Sequence, residues 1–197
     1  VIKTLIQNPP LGDKTASNWY MEPYQGLRRT SDSDRFVDES EGEYPVYGGS
    51  NIYQFSHTSE FFDDIDSPEF WSVEEETDPE RSAKQRMREK TIGDLKKAIY
   101  EKFDGTGSQK SFVNELLEEQ RGKPLTEEDV LLDSTEYRIV LRDIANSTNE
   151  RTLISTVLPK GIVCHNTLRT VRNYQIEPYE EGLTESPLHD FYQPIFT

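Results

Sequence analysis

The spacing of apolar residues changes along the chain from a strand-like pattern to a helical one and back. Between residues 91 and 120, apolar side chains recur every three or four positions, which is the period of an amphipathic α-helix. Residues 91–94 resemble a capping box, and Gly105 and Gly107 end the first of two helices. The two apolar stripes consist of Leu95, Ala98, Ile99 and Phe103, then Phe112, Val113, Leu116 and Leu117. The pattern predicts a helical hairpin, preceded by a separate charged helix over residues 79–90.

Short runs rich in β-branched and aromatic residues flank the helical part on both sides. The clearest predicted strand covers residues 137–144, and two more cover 152–158 and 162–165. Upstream, the glycine-rich turn at 48–51 lies between two apolar runs and predicts a β-hairpin over residues 44–55. The sequence therefore predicts an α+β fold of short, mostly antiparallel strands with an inserted helical hairpin.

The same patterns divide the chain into four parts along its length. In order, they are a strand- and loop-rich part at 1–78, a helical insertion at 79–124, a strand-rich basic part at 125–176, and an acidic tail at 177–197. The chain begins at Val1 without an initiator methionine or a signal-peptide pattern. We therefore expect a cytoplasmic segment of a longer protein. No apolar run approaches the roughly 18 residues that a transmembrane helix needs, so the sequence excludes such a helix.

The composition is strongly acidic and poor in apolar residues. Of the 197 residues, 37 are Asp or Glu and 22 are Lys or Arg, so the net charge is −15, and only 33% are hydrophobic. Such a composition is typical of disordered chains. The aromatic content of 11% instead favours a folded protein whose carboxylate surface is adapted to concentrated salt, as in halophiles. The single cysteine, Cys164, excludes an internal disulfide and a multi-cysteine metal site.

The charge is unevenly distributed, with a basic island inside an acidic chain. Residues 137–176 carry six basic and two acidic residues, a net charge of +4, while residues 1–136 carry −14 and residues 177–197 carry −5. If the acidity is an adaptation to salt, we expect fewer carboxylates where an anionic partner binds. A basic island is therefore what a phosphate- or nucleic-acid-binding surface would show. The alternative is that these cations are ordinary residues that only look basic in such an acidic chain.

The segment 138–152 combines arginines with side chains that can read or hold DNA. Arginine binds guanine edges, asparagine pairs with adenine, and hydroxyl groups hold phosphate oxygens. Arg138 and Arg142, four positions apart on a strand, share one face. The candidate DNA-binding residues are Arg138, Arg142, Asn146, Thr148, Asn149, Arg151 and Thr152. The alternative is a buried ion-pair network in which Asp143 or Glu150 pairs with an arginine and braces the loop.

Four blocks of the chain, in order, resemble segments of a known family. Residues 30–36 resemble its Thr-x-Asp-Ser-x-x-Phe, residues 45–57 its Pro-Leu-Tyr-Glu-Gly-Lys-Met-Ile-x-x-Phe-Asp-His, and residues 70–73 its Tyr-Trp-Val. Residues 137–159 resemble its Arg-x-x-x-Arg-Asp-Ile, Thr-Asn-x-Arg-Thr and Leu-Pro segments. The family is that of type IIG-like restriction-modification proteins, which join an adenine-specific DNA methyltransferase to a specificity domain. The resemblance covers residues 17–168.

The resemblance implies a DNA-recognition segment that follows the methyltransferase core of such a protein, with or without a fused nuclease. In the family an Asn-Pro-Pro-aromatic motif holds the flipped adenine. Here Leu11 follows Asn8, Pro9 and Pro10, so we expect the segment itself to be non-catalytic. It then needs no cofactor of its own, and S-adenosylmethionine is implied only for the parent chain. The implied partners are double-stranded DNA and the methyltransferase core of the same chain.

The chain departs from the family pattern at three positions. Gly48 and Ser50 stand where the family has Glu and Lys, and Ser56 stands where it has Asp. If that Glu or Lys contacts DNA or the methyltransferase core, the contact is lost or moved here. Two other functions stay open. The first is a structural or protein-interaction module that links the core to the reader, and the second is an acidic domain that mimics DNA.

Overall fold

The described part of the chain contains two α-helices and two four-stranded sheets, which confirms the predicted α+β fold. The structure is a computed structural model, and it describes residues 21, 23–60, 63, 65–144, 153–172, 174–176, 178 and 192–194. The helices are α1 (Ala83–Lys102) and α2 (Gln109–Arg121). The strands are β1 (Pro23–Gln25), β2 (Phe36–Val37), β3 (Gly42–Tyr47), β4 (Phe70–Val73), β5 (Arg138–Arg142), β6 (Ser155–Leu158), β7 (Val163–Cys164), β8 (Leu168–Val171), β9 (Tyr174–Ile176) and β10 (Tyr192–Pro194).

The first sheet is antiparallel throughout, in the order β1-β8-β5-β6. Its central strand β5 pairs with both neighbours, and Val140 lies opposite Thr156 on one side and Thr170 on the other. Side chains of β5 alternate between the core and the surface, as period-two strands require. Val140 is fully buried, whereas Ile139 is 36% exposed. This alternation decides which side chains of β5 can reach a partner.

The second sheet has the order β2-β4-β3-β7, and only its β3–β7 pair is parallel. Strands β7 and β8 follow each other in the chain but lie in different sheets, so the short turn at 165–167 joins the two sheets. Segments far apart in sequence thus share sheets, because β1 pairs with β8 and β3 pairs with β7. A separate two-stranded ribbon is formed by β9 and β10, and most of the acidic tail lies outside the described residues.

The predicted hairpin over residues 44–55 is wrong. Strand β3 ends at Tyr47, and Gly49–Asn51 then form a 3-10 turn instead of a hairpin loop. The Gly48 N–H donates to Asn51 Oδ1 at 2.6 Å, which closes this turn upon itself. Strand β3 pairs with β4 and β7, so its partners come from elsewhere in the chain. Residues 52–56 are then free to run along the edge of the first sheet.

The predicted break between two helices at residue 91 is also wrong, because α1 continues from Ala83 to Lys102. Extending an existing helix adds a hydrogen bond for each residue, whereas a new helix needs a costly nucleus. Thr91 lies inside α1, where its Oγ1 donates to the Met87 carbonyl oxygen at 2.9 Å. Ser82 is the N-cap of this helix, and its side chain accepts a hydrogen bond from the Gln85 N–H. Neither described helix is long and apolar enough to cross a lipid bilayer.

Helix α1 belongs to two hydrophobic clusters at once. Its first half packs on the second sheet, where Ala83 and Met87 contact a cluster that contains Val46 and Val163. Its second half pairs with α2 as the predicted helical hairpin, through a fully buried cluster of Leu95, Ile99, Val113 and Leu117. A third cluster fills the inner side of the first sheet and consists of Ile52, Val140, Ile154, Leu158, Ile162, Cys164 and Leu168. Cys164 is therefore a core residue.

A buried ion pair connects the two sheets to the turn that follows the helices. Arg138 on β5 is 2% exposed, and its Nε lies 3.2 Å from Asp133 Oδ2. Its guanidinium group also donates to the Ile162 carbonyl oxygen and lies 3.6 Å from Cys164 Sγ. A charge at this depth costs several kcal/mol unless it is paired and hydrogen-bonded. The ion pair therefore holds the Asp133–Thr135 turn and β7 against β5.

We predict that Arg138→Ala lowers the free energy of unfolding by about 3–5 kcal/mol, because Asp133 would stay buried without its partner. Urea unfolding followed by circular dichroism measures this loss. Arg29→Ala is the matched control, because it breaks an exposed ion pair with Glu69, and it should cost less than about 1 kcal/mol. Equal losses in the two variants would contradict the structural role of the buried pair.

Candidate nucleic-acid interface

The two arginines of β5 lie on its inward face, as their spacing predicts. Arg138, Val140 and Arg142 alternate with Ile139 and Leu141. The guanidinium group of Arg138 is enclosed by its ion pair and its bond to the Ile162 carbonyl, so it is not available to a surface partner. We therefore assign Arg138 the bracing role that the sequence left open as an alternative, and we leave it out of the candidate interface.

Arg142 lies at the end of β5 and is half-buried. One of its Nη atoms donates to the Ile52 carbonyl oxygen, and its Nε has no hydrogen-bond partner in the described part of the chain. No described carboxylate lies within ion-pair distance of it, and burial lowers the pKa of Arg142 from its usual value. Arg142 is therefore a positive charge that the described protein compensates only in part.

The other five candidates lie outside the described residues. They are Asn146, Thr148, Asn149, Arg151 and Thr152, so their role in DNA binding stays a prediction. Their segment connects β5 to β6, and the described ends of that connection are close together. The Arg142 N–H donates to the Ile154 carbonyl oxygen at 2.9 Å. The described residues on either side of this segment therefore lie beside Arg142.

Most cations of the basic island are paired with carboxylates. Arg172 Nη2 lies 2.7 Å from Asp94, and Lys160 Nζ lies 3.0 Å from Glu136. Arg169 makes a two-bonded pair with Asp143 at 2.8 and 3.1 Å. Together with Arg138, four of the island's six cations have partners, and three of those partners precede the island in the sequence. The net charge of the island therefore overstates the positive charge that a ligand would meet.

A cleft of about 550 Å³ opens beside Arg142, between the end of β5, the turn after β3 and the turn that joins the sheets. Its wall contains Arg29, Gly48, Asp66, Arg142, His165 and Thr167, among others. Arg29 bonds Glu69 at 3.1 Å and lies 4.9 Å above the Phe70 ring. Because Arg29 already has a carboxylate partner, Arg142 is the cation without one among the described residues that line the cleft. Asp66 adds an acceptor.

Hydrogen bonds hold the floor of the cleft rigidly. Asn51 accepts from the Gly48 N–H, and its Nδ2 donates to the Asp66 carbonyl oxygen at 3.0 Å. The Gly49 N–H donates to Thr167 Oγ1 at 2.8 Å, a contact between residues 118 positions apart. The glycine turn is thus fixed both within itself and to the turn that joins the sheets. A site built this way has its shape before a ligand arrives.

Position 48 requires glycine, because the His165 ring leaves no room for a side chain there. A Cβ atom at position 48 would lie 2.1 Å from His165 Nε2 and 3.0 Å from Thr167 Oγ1, well inside van der Waals contact. The glutamate that the resembled family has at this position does not fit beside His165. The close approach of His165 therefore explains why glycine occupies position 48.

His165 connects the cleft to the core. It is 8% exposed, and its Nδ1 lies 3.4 Å from Thr167 Oγ1. Burial lowers the pKa of His165 from its usual value, so the neutral imidazole predominates at neutral pH. No group of three potential metal-binding side chains occurs among the described residues. The described wall of the cleft thus offers hydrogen-bond donors and acceptors to a ligand.

Comparison with family models, with curated proteins and with solved structures gave no match for this chain. The site is therefore argued from its own geometry. Sequence reasoning missed Arg29, Thr167 and the cleft role of His165. The signal that could have found them is the Gly48–Gly49 pair, since adjacent glycines outside a hairpin turn indicate that another segment approaches the backbone closely.

We predict that Gly48→Ala destabilises the protein by about 1–3 kcal/mol, because the new methyl group must displace the His165 ring. Gly93→Ala is the matched control. Position 93 lies within α1 with no atom within 4 Å of the added Cβ, so alanine there should stabilise by about 0.5–1 kcal/mol. Denaturant unfolding of both variants measures the two signs. A neutral Gly48→Ala would contradict the close approach.

We predict that His165 makes the protein less stable in mild acid. Its pKa is lowered in the folded state, so below the usual value of 6.5 the unfolded chain binds the proton more readily. This contribution to stability is complete above pH 6.5 and is lost as the pH falls through the lowered folded pKa. Unfolding free energies between about pH 7.5 and 5.5 should fall less steeply in His165→Gln than in the unaltered protein. Identical slopes would contradict this assignment.

Proposed function

We propose that this chain is the DNA-recognition segment of a restriction-modification adenine-specific DNA methyltransferase, and that it contacts double-stranded DNA at the end of the β5–β6 hairpin. The observation that carries the proposal is Arg142, a half-buried guanidinium group with no carboxylate partner among the described residues, at the edge of a preformed cleft. The resemblance of the four sequence blocks supplies the kind of parent protein.

An incompletely paired arginine beside a cleft is a costly feature that a ligand can compensate. Partial burial removes water from the guanidinium group, and a bound acceptor restores the lost hydrogen bonds. Phosphate oxygens and the O6 and N7 atoms of guanine both accept paired bonds from arginine. Because Asp66 adds an acceptor to the lining, the cleft suits a base edge, which has donors as well as acceptors, better than a phosphate alone.

Recognition through base edges also fits an acidic, salt-adapted chain. Phosphate contacts weaken steeply as salt rises, because they depend on counterion release. Four of the six cations in the basic island are held in ion pairs within the protein, so few remain for phosphates. In this proposal, base contacts and DNA shape therefore carry more of the recognition than charge does.

The proposed segment works as part of a larger enzyme. It is itself non-catalytic, and the methyltransferase core of the same chain binds S-adenosylmethionine and performs the transfer. We place the protein in the cytoplasm, where it would meet cellular and incoming DNA. Asn146, Thr148, Asn149, Arg151 and Thr152 keep their predicted role in the DNA-contacting loop between β5 and β6.

We predict that Arg142→Ala weakens DNA binding by about 1–3 kcal/mol, because it removes the contact to a base edge. Arg142→Lys should recover only part of the affinity, since an ammonium group keeps the charge but cannot make the paired bonds. Fluorescence anisotropy with a random-sequence duplex pool, from about 0.1 to 2 M KCl, measures binding, and circular dichroism at each salt confirms folding.

Arg169→Ala is the matched control for this experiment. It removes the same side chain from the same sheet, but Arg169 is already paired with Asp143. Its effect on affinity should therefore be small, about twofold or less. Adding Arg151→Ala to Arg142→Ala tests the loop, and Arg138 must stay unaltered because it supports the fold. Wild-type affinity in the Arg142/Arg151 double variant would overturn the proposal.

A second candidate function is a bracing module between the methyltransferase core and the reader. The observation that favours it is the pairing of four island cations with carboxylates, together with the bond from Arg142 to the Ile52 carbonyl. Under this alternative, Arg142→Ala lowers the free energy of unfolding and no salt concentration that keeps the chain folded permits saturable DNA binding. The same titrations therefore separate the two functions.

A further inference from the structure

Phe55 is exposed to solvent on a strained turn beside strand β6. Phe55 is 80% exposed and has a φ of 64°, in the left-handed region that bulky residues rarely adopt. Such a conformation costs of the order of 1 kcal/mol and persists only where the surrounding structure imposes it. Exposure of a large ring adds a second cost. Both costs fall on one residue, which indicates that the ring has a partner.

The surrounding backbone fixes the position of this ring. Tyr53 and Ser56 exchange two backbone hydrogen bonds of 2.9 and 3.1 Å, which closes the turn. The Phe55 N–H donates to the Ser155 carbonyl oxygen at 2.9 Å, and the Ser155 N–H donates to Gln54 Oε1 at 3.3 Å. The turn is thus attached to the edge strand β6 through both the N–H and the carbonyl group of Ser155. The ring is held in place without packing into the core.

The ring borders a shallow hollow with no charged residue in its wall. The hollow has a volume of about 420 Å³, and its lining is Phe55, His57, Ile139, Ser155, Thr156 and Val157. Val157 in this lining is 52% exposed, so the hollow is open to solvent there. In a chain of net charge −15, a surface without carboxylates is one that an anionic partner can approach. A flat aromatic ring, two aliphatic side chains and two hydroxyl groups suit a planar, uncharged group.

Phe55 and Arg142 are close enough to serve one partner. The Arg142 guanidinium group donates to the Ile52 carbonyl oxygen. Phe55 follows Ile52 by three residues, and three residues of chain span at most about 11 Å. The backbones of Arg142 and Phe55 also bond consecutive residues, Ile154 and Ser155. A nucleic acid combines a flat base with groups that arginine binds.

We propose that Phe55 stacks on an unpaired nucleobase and that the hollow beside β6 holds that base while Arg142 contacts the neighbouring nucleotide. The proposal rests on the proposed function, because it names a further DNA group that this chain would contact near Arg142. Aromatic side chains bind bases of any sequence through their faces, and in some proteins they enter the base stack as wedges. The proposed site therefore binds a base that is not paired within the DNA duplex.

The test uses a duplex with one bulged 2-aminopurine and the same duplex fully paired. Stacking on Phe55 should quench 2-aminopurine fluorescence in the bulged duplex. Phe55→Gly should abolish the quenching and weaken binding of the bulged duplex about tenfold, because the stacking is lost. Its affinity for the paired duplex should change little. Glycine adopts the left-handed conformation freely, so this variant should be at least as thermally stable as the unaltered protein.

Two further variants sharpen the result. Phe55→Trp keeps an aromatic ring and should retain both quenching and affinity. Tyr137→Ala is the matched control, because it removes a ring that is 61% exposed next to the other end of β5, and it should behave like the unaltered protein. If Phe55→Gly binds and quenches normally while Arg142→Ala binds weakly, base stacking is overturned and the proposed function stands. If the unaltered folded protein binds neither duplex, both fall.

Discussion

The packing of the two sheets depends on the buried guanidinium group of Arg138. It lies on β5 in the first sheet, pairs with Asp133 in the turn after the helices, and bonds Ile162 just before β7 of the second sheet. A charge removed from water is tolerated only when all its partners are in place. These three segments must therefore assemble together. Strand β5 then has a fixed inward face, on which Val140 fills the core and Arg142 reaches the surface at the strand's end.

Most of the positive charge in the basic island is likewise paired with carboxylates, so it is not available to ligands. In a chain with 37 acidic and 22 basic residues, most folded arrangements bring a carboxylate near each cation. Arg172 meets Asp94 on α1, Lys160 meets Glu136, and both partners precede the basic island in the sequence. Arg142, by contrast, has no carboxylate within ion-pair distance among the described residues and lines a cleft. The position of Arg142 beside a cleft is for this reason more informative than the net charge of the island.

One irregular segment, residues 48–57, builds both candidate contacts. Gly48 lies against His165 at the floor of the cleft, the Ile52 carbonyl receives Arg142, and Phe55 is held on the edge of β6. The segment can do this because it does not form a hairpin with β3, whose hydrogen bonds are taken by β4 and β7. Its turns also cover the Ser155 edge of β6, which limits pairing with other chains. Loops on a rigid scaffold commonly carry recognition in this way.

Sequence patterns were sufficient to predict two kinds of local element: the paired helices with Leu95 and Ile99 on their buried stripe, and the strand that contains Arg138 and Arg142. Apolar periodicity is set by neighbours along the chain, so it can be read without the fold. The burial of Arg138, the partial exposure of Arg142 and the contact between Gly48 and His165 follow instead from the packing of the sheets. The identity of the carboxylate or ring that meets a side chain depends on contacts between residues far apart in sequence, such as the 118 positions between Gly49 and Thr167. No local pattern records which distant groups the packed sheets bring together.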